Sequence, residues 1–276
     1  MAGPKALIIT GDGINCDRET SWALNNSGFT SRRTHAAMLL DNPSMLSEFS
    51  LCAIPGGFSF GDEIASGKVL AVKLKEKLKD ELYKFVEQGK LVIGICNGFQ
   101  VLVQLGMLPH SEPDKPRLVS LMRNKERKFI NRWVTLTVTP DTVSPFFAGM
   151  HKIDLPIRHG EGRLTLEPAF SQTMVEHDPA HAVAGVDAKV SDLIKARAPL
   201  RYDEDVNGSF DRIAALTNEK GNVMGMMPHP EAFVRWSQHP SWTARQYSDA
   251  STDRFGEGDA PGLRLFKNAA AYIAKG

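Results

Sequence analysis

The sequence is poor in cysteine, carries almost no net charge and contains no long apolar run. Its 3 cysteines among 276 residues stand far apart, without a C-x-x-C pair or a histidine at metal-ligand spacing, so neither a disulfide framework nor a structural zinc site is expected. Lysine and arginine number 33 and aspartate and glutamate 32, and the resulting charge of +1 creates no overall field that would attract nucleic acid or a membrane. The amino-terminal apolar run is too short for a signal peptide, and no run is long enough for a membrane span. We therefore expect a cytosolic protein that binds neither nucleic acid nor membrane.

The first hundred residues alternate short apolar runs with segments of helical spacing. The runs Lys5–Thr10, Leu51–Ile54 and Leu91–Ile95 predict buried strands, and 64–88 predicts a long helix between the second and the third. Strands that alternate with helices predict an α/β fold with a doubly wound, mostly parallel sheet flanked by helices. In such a sheet, functional sites form at the carboxyl ends of the strands.

The second half of the chain follows a different pattern. Period-two alternation predicts added antiparallel strands at 132–140 and 153–157, and the segments 211–217 and 222–227 predict a hairpin about the turn at 218–221. Residues 237–258 are rich in serine, aspartate and glycine and predict a long loop, and 263–273 predicts a closing helix. No internal repeat or linker divides the sequence, so we expect residues 1–276 to form a single domain.

One of the predicted strands ends at a cysteine placed between two glycines. Cys96 follows Leu91–Ile95, lies between Gly94 and Gly98, and precedes a segment of helical apolar spacing. This order predicts a nucleophile elbow, because a nucleophile on a tight strand-to-helix turn needs neighbours without side chains. The turn also sets the cysteine at a helix N-terminus, where the dipole favours thiolate over thiol. The alternative is a buried structural cysteine at the end of a strand.

A histidine and a glutamate follow another apolar strand. Residues 227–231 read Met-Pro-His-Pro-Glu, and the two prolines restrict the backbone around His229. Because His229 and Glu231 are two positions apart, they would project to the same side of an extended segment. Glu231 could then orient the imidazole while the other ring nitrogen faces Cys96. The segment therefore predicts the base of a cysteine nucleophile, and an ordinary loop histidine is the alternative.

A cysteine nucleophile that transfers an acyl group also needs donors for the oxyanion. The amide of Asn97, directly after the cysteine, is one candidate. The pair Gly56 and Gly57 follows the predicted strand Leu51–Ile54 and is the second candidate, because missing side chains let the backbone approach a substrate. A simple turn is the alternative interpretation of this pair.

Several of these segments together resemble a known family. Residues 55–57, 94–100 and 228–231 resemble the class I (triad) glutamine amidotransferases, which have a flavodoxin-like α/β fold. Five segments narrow the resemblance to the glutaminase subunits of purine biosynthesis, and these segments are 15–20, 56–62, 159–163, 201–202 and 221–231. Phe60 and Ala232 depart from the residues usual in that family, and neither belongs to the triad.

The resemblance implies a role for each matching position in the site. It makes Cys96 the nucleophile, His229 the base and Glu231 the residue that orients the base. It makes the amides of Gly57 and Asn97 the oxyanion donors. The further positions that it implies as contacts for the glutamine substrate are Gly56, Gln100, His159 and Gly160.

The resemblance also implies a partner. It predicts that L-glutamine is hydrolysed to glutamate and ammonia, and that the ammonia passes to a synthetase subunit. It leaves open whether the complex needs a small third subunit. That synthetase would use ATP and magnesium to convert formylglycinamide ribonucleotide to its amidine. No cofactor and no metal are expected in this chain, and its lack of a G-x-x-x-x-G-K-[ST] loop agrees with ATP binding elsewhere.

Two other functions stay open on the sequence. A free-standing cysteine hydrolase, such as a gamma-glutamyl hydrolase or a peptidase, would use the same triad without a partner or ATP. A noncatalytic interaction subunit would keep the fold and lose the chemistry, and the presence of Cys96, His229 and Glu231 argues against it.

Overall fold

The computed structural model describes residues 3–167, 188–246 and 258–275. Within these ranges the strands are β1 Lys5–Thr10, β2 Thr30–His35, β3 Leu51–Ile54, β4 Leu91–Ile95, β5 Val119–Met122, β6 Ile130–Val138, β7 Lys152–His159, β8 Arg163–Leu166, β9 Leu200–Tyr202, β10 Ile213–Thr217 and β11 Val223–Met226. The α-helices are α1 Asp17–Asn25, α2 Ala36–Asp41, α3 Lys68–Glu87, α4 Asn97–Leu105, α5 Ala188–Ala196, α6 Trp242–Gln246 and α7 Pro261–Ile273.

A nine-stranded sheet runs through the described residues in the order β2-β1-β3-β4-β11-β10-β9-β6-β7. The strands from β2 to β11 in this order are parallel, and those from β11 to β7 are antiparallel. Strands β5 and β8 form a separate antiparallel pair. The predicted fold class, a mostly parallel α/β sheet with antiparallel strands added from the second half of the chain, is confirmed.

The order of the strands places helices on both faces of the sheet. From the adjacent strands β1 and β3, the chain moves to β2 at one edge of the sheet through α1, and in the opposite direction to β4 through α3. Because crossovers between parallel strands are right-handed, α1 and α3 cover opposite faces. Every residue of β3 and β4 is buried, which is why both strands read as continuous apolar runs.

The bounds of several elements differ from the sequence prediction. Helix α3 begins at Lys68, four residues later than predicted, because Gly67 adopts a left-handed conformation with φ 73°. In the predicted loop 237–258, the described part holds α6, and residues 247–257 lie outside the described residues. None of the helices in the described ranges is long and apolar enough to cross a membrane.

Candidate active site

Cys96 lies at the carboxyl end of β4, directly before α4. Its backbone has φ 51° and ψ −104°, a conformation that is strained for a residue with a side chain. Its amide donates a hydrogen bond of 2.8 Å to the carbonyl of Met226 at the end of the neighbouring strand β11. The Cys96 side chain is 6% exposed, and its thiol lies 3.6 Å from the carbonyl oxygen of Arg158. The strained turn holds the sulfur at the sheet edge where sites of this fold form.

The two glycines beside Cys96 are required by close backbone packing. A Cβ atom on Gly98 would overlap the carbonyl of Ile54 at the end of β3, and one on Gly94 would lie 2.5 Å from the carbonyl oxygen of Gly98. Both contacts are with backbone atoms of regular elements, the carbonyl of Ile54 in β3 and that of Gly98 in α4. The glycines therefore let α4 begin directly against the strands.

His229 and Glu231 form a buried pair after β11. The Nδ1 atom of His229 lies 2.6 Å from Oε1 of Glu231, and both side chains are almost completely buried. The amide of His229 donates to the carbonyl of Pro156, which ties this segment to β7. The predicted extended backbone is wrong beyond His229, because Pro230–Ala232 forms a 3₁₀ turn. The turn still brings the carboxylate to the imidazole, with Pro230 at its first position.

The neighbours of His229 favour its protonated form. Burial alone would lower the pKa of this imidazole, but the charges of Glu231 and Cys96 outweigh burial and hold the pKa well above its usual range. The Nε2 atom of His229 is buried and has no hydrogen-bond partner among the described residues, so it stays available for the reaction. The structure therefore brings Cys96, His229 and Glu231 together as the sequence predicted, although they come from two separate strand ends.

Gly56 and Cys16 pack directly against the imidazole of His229. A Cβ atom on Gly56 would lie 2.8 Å from Cε1 of His229, so this glycine makes room for the ring. The Cys16 sulfur lies 4.0 Å from Nδ1 of His229. The carbonyl of Gly56 accepts hydrogen bonds from the amides of Asn15 and Cys16, which holds the two loops together. The sequence prediction gave Cys16 no role.

The two predicted oxyanion donors come from different segments, the start of α4 and the loop after β3. Asn97 is the first residue of α4, where a backbone amide has no partner within the helix. Gly57 has φ 152°, and its bridge to Ile14 is made by the amides of neighbouring residues, which leaves the Gly57 amide outside the bridge. A Cβ atom on Gly57 would lie 2.5 Å from the carbonyl oxygen of Gly13. Both amides stay candidates for stabilising an oxyanion.

Side chains around Gln100 form a network that joins three loops of the site. The Asn97 side chain donates 3.0 Å and 3.1 Å hydrogen bonds to Gln100 and Asp62, respectively. Gln100 donates in turn to the carbonyl of Glu161 at 2.5 Å, and the Glu161 carboxylate accepts from the amide of Ser66. Gln100 is thus engaged on both ends of its amide, and its contact with the amino acid end of the substrate stays a prediction.

Asn124 holds the loop that contains His159 and Gly160. Its side chain donates to the carbonyl of His159 and accepts from the His159 ring and the Gly162 amide, over distances of 2.8, 3.0 and 3.2 Å. The backbone amide of Asn124 donates a further hydrogen bond to the carbonyl of Gly160. Burial and the charge of His229 lower the pKa of His159 to about 4, so this ring is neutral at pH 7. The sequence gave no signal for Asn124, because a single asparagine in a loop matches no motif.

Replacing Asn124 with alanine is expected to raise KM for glutamine by about tenfold or more, with a smaller loss in kcat, because a loop that is no longer held positions the substrate poorly. Steady-state kinetics of glutamate release measure both constants. The control is Asn131→Ala, at an exposed position of β6. Equal kinetics for the Asn124 and Asn131 variants would contradict a positioning role for Asn124.

A cysteine, a histidine and a glutamate at the carboxyl edge of a doubly wound sheet are the arrangement of a glutamine amidotransferase. The chain belongs to the family described as CobB/CobQ-like glutamine amidotransferase domain, whose model matches residues 3–273.

Relatives of known name match almost the whole chain. A protein from Dehalococcoides mccartyi is 38% identical over 272 residues, which cover 99% of this chain and 98% of the relative. One from Methanococcus maripaludis is 32% identical over 275 residues, with 99% and 98% covered. Both are named phosphoribosylformylglycinamidine synthase subunit PurQ.

A solved structure shares the fold. A chain in the structure of PurLQS from Thermotoga maritima is 33% identical and superposes with a TM-score of 0.69, over 98% of this chain and 99% of that one.

Proposed function

We propose that this chain is the glutaminase subunit of phosphoribosylformylglycinamidine synthase, an enzyme of purine biosynthesis. The observation that carries the proposal is the buried contact of His229 with Glu231 beside Cys96 on its strained turn. The names of the relatives and the PurLQS neighbour support the same function. The chain uses glutamine as its amido donor and works with a synthetase subunit.

The proposed reaction begins at Cys96. Its thiolate attacks the side-chain carboxamide carbon of glutamine, and the amides of Gly57 and Asn97 stabilise the negative charge that develops on the oxygen. His229 gives a proton to the departing nitrogen, and ammonia leaves as the carbon–nitrogen bond breaks. Water, from which His229 takes a proton, then attacks the thioester, and glutamate leaves with the thiolate restored.

Glu231 and the loop around His159 support this reaction from outside the reacting atoms. The carboxylate of Glu231 fixes the direction of the imidazole and stabilises its positive charge, which matters because the ring is buried. Gly56, Gln100, His159 and Gly160 are the proposed contacts for the amino acid part of glutamine. His159 would act as a neutral ring, because its pKa is lowered to about 4.

Ammonia released into water would be lost to the synthesis, so the site requires a partner that receives it. We assign ATP and magnesium to the synthetase subunit and no cofactor to this chain. A small third subunit in the complex and a cytosolic location stay parts of the proposal. A free-standing cysteine hydrolase and a noncatalytic subunit are not favoured, because relatives with the name PurQ match 98% or more of their own length.

The proposal predicts that glutamate release depends on the partner. The purified chain alone should release little glutamate from glutamine. Adding the synthetase subunit with ATP, magnesium and formylglycinamide ribonucleotide should raise the rate at least tenfold, about 1.4 kcal/mol of barrier, with one amidine formed per glutamate. A coupled assay for glutamate and chromatography for the amidine measure both. Fast hydrolysis that the synthetase leaves unchanged would point to a free-standing hydrolase.

A further inference from the structure

Cys16, His229 and Glu231 bring three metal-binding side chains together beside the catalytic cysteine. One ligand atom from each lies within 4.8 Å of the others, with 4.0 Å between the Cys16 sulfur and Nδ1 of His229 and 2.6 Å between Nδ1 and Oε1 of Glu231. Cys16 precedes α1, whereas the other two residues follow β11, 213 positions later. This separation explains why the sequence shows no metal-ligand spacing.

The donor atoms suit a zinc ion. Thiolate, imidazole and carboxylate are the ligands that zinc prefers, at roughly 2.0–2.3 Å, so a tetrahedral ion would need the sulfur and nitrogen about 3.5 Å apart. The observed 4.0 Å is close to that value, whereas the 2.6 Å between Nδ1 of His229 and Oε1 of Glu231 must lengthen to roughly 3.4 Å, so zinc binding requires the Glu231 carboxylate to move away from the ring. The second carboxylate oxygen of Glu231 is buried and has no hydrogen-bond partner among the described residues. That oxygen can therefore provide a further lone pair for a metal ion.

A cavity reaches two of these three side chains. Its volume is about 200 Å³, and its lining includes Cys16 and Glu231. Glu19 lines the same cavity and can supply a fourth ligand or attract the cation, which offsets the opposing charge of Arg158 in that lining. The structure thus contains a cavity beside the site as well as a ligand set.

We propose that Cys16, His229 and Glu231 form an inhibitory zinc site on the side of the imidazole that faces away from the reaction. Binding of Zn²⁺ would release one proton from the Cys16 thiol and one from Nδ1 of the His229 imidazolium, so the charge of the site is conserved. A metal on Nδ1 keeps the remaining proton on Nε2. The ring would then have no free nitrogen to accept a proton. It could donate its remaining proton only by becoming an imidazolate.

The inhibition rests on the proposed function, but the binding of zinc does not. Zinc chloride is titrated into the full chain with Cys96→Ala, which removes the nucleophile as a competing ligand, and into the double variant Cys16→Ala/Cys96→Ala. Calorimetry is expected to show one zinc ion per chain in the first and at least a hundredfold weaker binding in the second. Cobalt should give a thiolate charge-transfer band in the first protein alone. Circular dichroism confirms that both variants are folded.

Equal zinc affinity in the two variants, or no zinc binding by the single variant, would overturn the site. The second measurement is glutamate release by the complete complex with zinc and then with a chelator, each rate divided by the zinc-free rate of the same variant. Zinc should stop the unaltered enzyme reversibly and inhibit Cys16→Ala at least tenfold less strongly. Zinc that binds through Cys16 without slowing glutamate release would overturn the inhibitory role. A complex that releases no glutamate even without zinc would instead contradict the proposed function.

Discussion

Replacing Cys96 with alanine is expected to reduce glutamine hydrolysis at least about 10⁴-fold, because the thioester forms on Cys96, and Cys16, the other thiol beside His229, lies at Nδ1 and not at the reacting side of the ring. Synthesis of the amidine from added ammonium should continue at close to the normal rate, since the synthetase and its ATP site are unaltered. Glutamate release and amidine formation are followed in the same complex, first with glutamine and then with an ammonium salt.

The control for this change is Cys52→Ala. Cys52 is a second buried cysteine, inside β3, and its thiol lies outside the proposed site. This variant should keep most of its glutamine hydrolysis after correction for the folded fraction. Hydrolysis that survives in Cys96→Ala would remove Cys96 as the nucleophile. Loss of the ammonium-dependent reaction as well would show that the change had disturbed the complex and not the chemistry alone.

Replacing Gly98 with alanine is expected to lower the free energy of unfolding by about 3 kcal/mol or more. Losses of this size are typical of substitutions that overpack a buried site. The added methyl group would overlap the carbonyl of Ile54, and neither backbone can move without separating α4 from β3. Urea denaturation followed by circular dichroism measures the change. Any folded protein that remains should be inactive, because the contact between Gly98 and Ile54 also fixes the start of α4 and therefore the turn that holds Cys96.

Two glycine variants separate overlap from other effects. Gly11→Ala places its methyl group at an ordinary 3.8 Å from the nearest side chain and should be close to neutral. Gly106→Ala meets no atom within 4 Å but sits at φ 80°, so it should cost about 1 kcal/mol through backbone strain alone. If Gly98→Ala were no worse than Gly106→Ala, the close approach of the helix to β3 would not be a determinant of stability.

The sequence predicted most of the parallel half of the fold because its signals there are local. Strand β4 is buried on both sides and is therefore a continuous apolar run, and the glycines at 94 and 98 mark the turn that follows it. Proline on each side of His229 marks the other half of the triad. These features follow from residues that are adjacent in the chain, so they can be read without knowing which strands pair.

The parts that the sequence did not predict depend on contacts between distant residues. Helix α2 was missed for a different reason, because it is only six residues long and too short for a periodic pattern. The 3₁₀ turn at Pro230–Ala232 is set by packing, because Gly262 of α7 approaches the carbonyl of Pro230 closely. Asn124 acts on a loop 35 positions away, and Cys16 meets His229 across 213 positions. Such partners become visible only in three dimensions.

The pairing of β4 with β11 has a mechanical consequence for the site. The two strands are in register, with Ile95 opposite Met226, and one hydrogen bond from Cys96 continues the ladder beyond them. The attacking sulfur therefore lies directly after β4, and its proton carrier His229 follows shortly after the adjacent strand β11. Neighbouring strands of a sheet are about 4.8 Å apart. We therefore expect motion of the whole sheet to carry both groups together. Any opening or closing of the active site must come from the loops around Gly57 and His159, and not from the strand ends that carry the triad.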